Sequence, residues 1–142
     1  MKNCPSFIGY ILASVLLNPF GSEANQADNL KGQVETSNAF TVYLSRHGEK
    51  LKDASNPKDP DLTECGSLRA NRLARMLDSV DLKAVYSTDY RRTQNTAKPT
   101  AQSKDINVTS YDPRQLKEVA NALKARGENV LVVGHSNTTN VL

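Results

Sequence analysis

The sequence predicts an α/β layered fold, a mostly parallel central sheet with helices on both faces, and three observations predict it. Short runs rich in β-branched and aromatic residues alternate with longer segments of helical spacing, in the order strand, helix, strand, helix, strand, helix, strand. Residues 130–133 (VLVV) are apolar at every position, which suits a central parallel strand covered from both sides. Two segments carry apolar residues at the i, i+3, i+4, i+7 spacing of one buried helical stripe: Ala70, Leu73, Ala74 and Leu77, then Leu116, Val119, Ala120 and Leu123.

The chain of 142 residues is enough for one domain and no more. Its 18 Lys and Arg against 15 Asp and Glu give a net charge of +3 with the signs interspersed. That argues against nucleic acid as the ligand, since such domains concentrate Lys and Arg in a stripe. Residues 1–24 are set apart as a cleavable export signal, with an uncleaved membrane anchor as the alternative. Lys2 supplies the positive start, residues 7–17 (FIGYILASVLL) are apolar but shorter than a membrane-spanning helix, and Ser22, Glu23 and Ala24 place small residues where a signal peptidase reads them. The protein is therefore expected to be exported, periplasmic or secreted, and to meet a membrane only through this signal. Residues 25–38 (NQADNLKGQVETSN) are polar and aperiodic and read as a linker, leaving residues 39–142 as the domain. With Cys4 removed in the leader, Cys65 is expected to be a lone packed thiol.

The first strand is read at residues 39–44 (AFTVYL), ending in Ser45, Arg46, His47, Gly48 and Glu49. Residues 50–61 hold Pro57 and Pro60 with Ser55 and Asn56, and form a loop. The first helix opens at Thr63. Residues 83–87 (KAVYS) make the second strand, and residues 90–103 a second helix that Pro99 should kink or restart. A third strand spans 107–111. Asp112 then reads as an N-cap with Pro113 at the first helical position, opening a third helix that Gly127 stops.

In such sheets ligands bind at the carboxyl ends of the strands. The first strand delivers Arg46, His47 and Gly48 there, and the fourth delivers Gly134, His135 and Ser136. The sequence has 2 histidines, and both follow strands expected to be near neighbours, so their rings are expected to face one another across a cleft. A single loop histidine is usually incidental; two at strand ends, one with an arginine beside it, point to chemistry. Arg46, and Arg92 just past the second strand, offer planar forks that suit phosphate oxygens. Two guanidiniums and two imidazoles make a site for a tetrahedral anion. Such a set meets the needs of phosphoryl transfer, which are in-line positioning and charge stabilisation, and a neutral imidazole nitrogen can attack phosphorus directly. A metal centre on His47 and His135 finds no third ligand at helical or hairpin spacing to either.

Four motifs stand in order: YLSRHGE at 43–49, LTECGSLRA at 62–70, VYSTDYRRTQNTA at 85–97 and VVGHSNT at 132–138. Together they resemble the histidine phosphatase superfamily, the phosphoglycerate mutase-like fold, from about Thr41 onward, and are most similar to small phosphatases such as the bacterial phosphohistidine phosphatases. The resemblance implies a three-layer phosphoglycerate mutase-like sandwich and a metal-independent phosphomonoesterase with no cofactor. It implies that His47 is the nucleophile that becomes phosphorylated, and that Arg46 and Arg92 bind phosphate while Arg91 stays in solvent. His135 matches the second pocket histidine, which binds the phosphoryl group and stabilises its charge. Glu49 supports the nucleophile loop, and Ser136 supports His135. The family's proton donor lies between the second arginine and the second histidine. Asp112 fits that interval and fits a helix N-cap equally well; Glu118, further into the helix, is the other acid there. If neither serves, the substrate must carry a good leaving group, such as a phosphohistidine or an acyl phosphate.

The implied partner is a phosphorylated substrate: a small molecule, a surface sugar phosphate or a phosphoprotein. The family continues past the second histidine with a full helix and more sheet, so the chain is expected to lack the C-terminal part of the fold and to be poorly soluble or weakly stable. A phosphate- or phospholigand-binding remnant without turnover is the alternative to an enzyme. Mutase activity is less expected than hydrolysis, because residues 88–134 leave no length for a covering lid, and a short open site suits bulky phosphorylated substrates.

Overall fold

Strand and helix alternate along the chain as β1 (Val42–Arg46), α1 (Glu64–Met76), β2 (Ala84–Thr88), α2 (Arg91–Ser103), β3 (Val108–Tyr111), α3 (Leu116–Arg126) and β4 (Val130–Gly134). A computed structural model describes residues 39–52 and 55–142. The expected leader, 1–24, and linker, 25–38, lie outside the described residues. The four strands pair in the order β1-β4-β2-β3, and all three pairings are parallel. β4 is therefore central, as its unbroken apolar run requires, and the fold is the expected α/β sandwich.

Two hydrophobic clusters make the three layers. On one face, Leu73 of α1, its C-cap Leu77, and Ala97 and Ala101 of α2 pack with Val85, Leu131 and Val133 of the sheet. On the other, Leu123 of α3 packs with Ala84, Tyr111, Val130 and Val132, with Leu116, Val119 and Leu142 against it. Val85 and Val130, Leu131, Val132 and Val133 have 0% exposure, so each contributes about 1.5–3 kcal/mol by leaving water.

Strand bounds follow pairing more than propensity. β1 starts at Val42, where its register with Val130 begins, and not at residue 39; it runs on to Arg46 opposite Gly134. Thr41 already serves the sheet from outside the ladder, its N–H donating to Asn129 Oδ1 and its carbonyl accepting from Val130 N–H. This register sets His47 and His135 level with each other at the carboxyl ends of adjacent strands.

Three expectations are corrected. α2 runs from Arg91 to Ser103 through Pro99 without restarting there. Proline removes one ladder hydrogen bond, but burial of Thr93, Thr96, Ala97, Thr100 and Ala101 along one face holds the helix together. α3 begins at Leu116 with Gln115 as its cap, not at Pro113. Residues 112–115 form a turn in which Gln115 N–H donates to the Asp112 carbonyl, and the Asp112 carboxylate is taken up by Arg114 instead of by helix N–H groups. Finally, Cys65 is disulfide-bonded and not the lone thiol expected.

Candidate active site

β1 and β4 carry the two histidines to one place: the ring centroids of His47 and His135 lie 5.3 Å apart, edge to face at 70°. The chain leaves β1 with His47 N–H donating to the Gly134 carbonyl, which extends the ladder by one bond and fixes the backbone at His47. Gly48 then passes so close to α1 that a Cβ there would stand 2.7 Å from the Gly66 carbonyl oxygen, and a Cβ at Gly66 would stand 2.3 Å from that of Glu49. Two glycines are needed for this crossing. Thr63 caps α1 by accepting from Gly66 N–H, its own N–H donates to the Glu49 carbonyl, and Gly48 N–H donates to Thr96 Oγ1 on α2.

The hydrogen-bond partner of His47 decides its tautomer. Nδ1 lies 2.7 Å from the Gly48 carbonyl, which can only accept, so Nδ1 carries the proton and Nε2 keeps its lone pair. Burial holds the His47 pKa below its usual value; the Gly48 carbonyl opposes this, and the nearby Arg92, Arg46 and Lys50 cations add to it. The pKa of His135 falls to about 4, first by burial and then by Arg92, His47 and Arg46. Both imidazoles are therefore neutral at pH 7. His135 is held at its backbone, where its N–H donates to Thr138 Oγ1 and its carbonyl accepts from Thr139 Oγ1, and at its ring, where Nε2 lies 3.1 Å from Thr88 Oγ1.

Arg92 is the buried cation of the site, with 13% of its side chain exposed. Its guanidinium stands 4.4 Å over the Tyr90 ring, which itself meets His135 edge-on at 5.1 Å. Arg92 Nε and Nη1 are buried and have no hydrogen-bond partner among the described residues. Nη1 lies 3.6 Å from Asp59 Oδ1, an ion pair beyond hydrogen-bond reach. Buried donors of this kind are costly unless a ligand takes them up. Arg46 is exposed at the end of β1, close enough to lower the pKa of both histidines.

The remaining expected residues divide. Glu49 is ion-paired with Arg69 of α1, so it ties the loop that carries His47 to the helix. Ser136 is exposed in the turn after His135, and Glu118 is exposed in the first turn of α3. Arg91 is exposed, as expected, yet not idle: its Nη2 donates to Asp61 Oδ2 at 2.6 Å. Asp112 is clasped by the Arg114 guanidinium and backbone N–H, which hold its pKa at about 2.

Sequence reasoning missed Asp59, Asp61, Tyr90, Thr88, Thr93 and Thr96. The two aspartates sit in the loop between β1 and α1. Asp59 Oδ1 accepts from Arg91 N–H, the first amide of a helix whose own N-cap, Tyr90, makes no side-chain cap. Asp61 accepts from Asn95 Nδ2 at 2.6 Å and from Leu62 N–H, and these bonds lower its pKa. The threonines carried a signal: Thr93, Thr96 and Thr100 occupy the helical positions at which a buried stripe is ordinarily apolar. Among the described residues no group of three or more His, Cys, Asp or Glu is placed to hold a metal ion.

Comparison with known proteins matches this sequence to a family. The sequence profile of the histidine phosphatase superfamily (branch 1) matches residues 42–121. The chain belongs to the histidine phosphatase superfamily. Among curated relatives, the "Probable phosphoglycerate mutase GpmB" of Yersinia pestis is 36% identical over 77 residues, which is 51% of this chain and 35% of the relative. The chain thus spans about a third of the length of the curated relatives it matches. Among solved structures, YhfR of Bacillus stearothermophilus aligns with a TM-score of 0.65 at 22% identity, over 73% of this chain and 78% of that one. The protein histidine phosphatase SixA complexed with tungstate aligns with a TM-score of 0.62 at 21% identity, over 71% of this chain and 72% of that one. At those identities the likeness is one of fold, and the fold is phosphoglycerate mutase-like.

Proposed function

We propose that this chain is an exported, metal-independent phosphomonoesterase that works through a phosphohistidine on His47. One observation carries the reading: a buried guanidinium with uncommitted N–H groups stands beside two neutral imidazoles, one of which keeps its Nε2 lone pair free. Arg92 and Arg46 bind the phosphoryl oxygens. His47 Nε2 attacks phosphorus, the P–N bond forms as the ester P–O bond breaks, and the electron pair leaves with the ester oxygen. A dianion arriving beside His135 favours its protonated form, so this ring takes up a proton as the phosphoryl group binds and stabilises the charge on it. Water then attacks phosphorus, the P–N bond breaks and its electron pair returns to Nε2; the proton that the water loses to solvent balances the one that the departed ester oxygen takes up from it.

The state of Asp112 bears on the substrate. The Arg114 clasp on Asp112 favours leaving groups that need little protonation, such as the imidazole of a phosphohistidine or an acyl group. The interval between β2 and β4 holds only α2, β3 and α3 joined by short connections, which suits hydrolysis of a bulky phosphorylated substrate better than a mutase reaction needing an enclosed intermediate. Export rests on the leader pattern of residues 1–24.

The test is His47→Ala, assayed on p-nitrophenyl phosphate with and without chelator. The wild type is expected to turn over unaffected by chelator, and the variant to lose turnover. Retained turnover in the variant would end the nucleophile assignment. The ionised Asp112 also favours a second reading, a phospholigand-binding protein without turnover; binding of a slowly hydrolysed phosphate ester with no product formed by the wild type would select it. Cell fractionation and the N-terminal sequence of the mature protein test export.

A further inference from the structure

The ring of His135 is held by a chain of hydroxyls whose direction the surrounding atoms decide. Thr93 Oγ1 lies 2.9 Å from the Thr88 carbonyl, 2.8 Å from the Tyr90 carbonyl and 2.9 Å from Thr88 Oγ1. Thr88 Oγ1 in turn lies 3.1 Å from His135 Nε2. Each hydroxyl has one proton to give. Carbonyl oxygens only accept, so the Thr93 proton goes to them. Thr93 then has only lone pairs for Thr88, and the Thr88 proton goes to Thr93. Thr88 is left with only a lone pair for His135, and that contact is a hydrogen bond only if Nε2 carries the proton. The reverse direction makes one bond fewer and leaves Thr93 Oγ1 pressed against two carbonyl oxygens at 2.8 and 2.9 Å with no proton between them.

Both threonines are buried with 0% exposure, so water does not relax this ordering. Thr88 ends β2 and Thr93 lies in the first turn of α2, so the chain spans the junction that also places Arg92.

We propose that Thr88, backed by Thr93, is a positioning residue that keeps the His135 proton on Nε2, so that every proton His135 exchanges during phosphoryl transfer passes through Nδ1. The two histidines of the site then have opposite tautomers. His47 is protonated at Nδ1 and reacts at Nε2; His135 is protonated at Nε2 and works at Nδ1. The kinetic part of this proposal rests on the phosphatase reading above, and the tautomer does not.

The test is long-range proton–nitrogen NMR of the imidazole nitrogens at pH 7, where both rings are neutral, together with turnover of p-nitrophenyl phosphate. In the wild type, His135 is expected to show a protonated Nε2 and a bare Nδ1, and His47 the reverse. Thr88→Val, close in shape, should bring His135 to a mixture of tautomers and lower kcat by about five- to tenfold, the effect of one neutral hydrogen bond, with KM little changed. Thr88→Ser should restore both. Thr93→Val frees the Thr88 proton to turn toward Nε2, so it should move His135 toward the Nδ1–H form even if Thr88→Val does not fold. A wild-type His135 protonated at Nδ1, or an unchanged tautomer in the folded Thr88→Val and Thr93→Val variants, would overturn the proposal. Absence of turnover in a wild type with the expected tautomers would count against the phosphatase reading and leave the tautomer assignment standing.

Discussion

Replacing Gly48 by alanine tests whether the reacting loop is positioned by its crossing with α1. The added Cβ would stand 2.7 Å from the Gly66 carbonyl oxygen and 2.9 Å from its Cα, where ordinary contact begins at 3.4 Å. The loop and the helix must therefore part by about 0.7 Å at the closer contact. Neither side yields freely, because Gly48 N–H is bonded to Thr96 and the Glu49 carbonyl to Thr63 N–H. Overpacking of this kind costs about 1–3 kcal/mol, and each kcal/mol lowers Tm by about 4–8 °C in a domain of this size. His47 is the adjacent residue and moves with the loop. A displacement approaching 1 Å at the reacting atom lowers turnover by about 100-fold. The assay is a urea unfolding midpoint beside kcat on p-nitrophenyl phosphate. Gly66→Ala, whose Cβ would stand 2.3 Å from the Glu49 carbonyl oxygen, should be the more damaging of the two. A Gly48→Ala variant with the midpoint and kcat of the wild type would refute the reasoning.

Acid should act on the site through its histidines. Both pKa values lie below 6.5, so the acid limb of kcat/KM is expected below that pH, and Arg92→Met should move it only part-way back, because burial is the larger cause. In stability the unfolded chain, with His135 at its ordinary 6.5, binds more protons than the folded chain with His135 at about 4. The contribution is complete above pH 6.5 and lost as pH falls toward 4, so the stability difference between wild type and His135→Asn should shift against the wild type across that window; a shift the other way would contradict the burial argument. Asp61→Ala removes the acceptor for Asn95, Leu62 and Arg91, and should cost about 1–2 kcal/mol and speed proteolytic cutting within residues 50–61; an unchanged cutting rate would show that the loop is held elsewhere. Leu131→Ala, at 0% exposure in the central strand, should cost about 2–5 kcal/mol, and a urea midpoint near that of the wild type would show that the core closes over the gap.

Much of the molecule is legible in its sequence. Strand and helix order follows from local periodicity, and VLVV at 130–133 suits a strand covered on both sides, which is central in the sheet. The stripe of Ala70, Leu73, Ala74 and Leu77 is buried as its spacing requires. The two histidines fell at the ends of strands whose adjacency was expected, and the sheet order brings them together. Pro99 misled because a proline's cost is local and countable, while the burial that outweighs it is shared along a whole helix face. Asp112 before Pro113 misled because the same dipeptide serves a cap and a turn, and the choice lay with Arg114, whose side-chain direction no periodicity encodes.

The sequence by itself determined which elements form, which faces they bury and which side chains reach the carboxyl ends of the strands, since all of these depend on neighbours a few positions apart. Only the tertiary structure decided the chemistry of those side chains. Where each imidazole proton sits depends on Gly48 in one case, and on Thr88 and Thr93, brought from β2 and α2, in the other. How firmly α2 presents Arg92 depends on Asp59, which lies 32 residues before the Arg91 amide it accepts from. A proton's place and a guanidinium's partners are set by atoms within about 3 Å, and those atoms become neighbours only when the chain has folded.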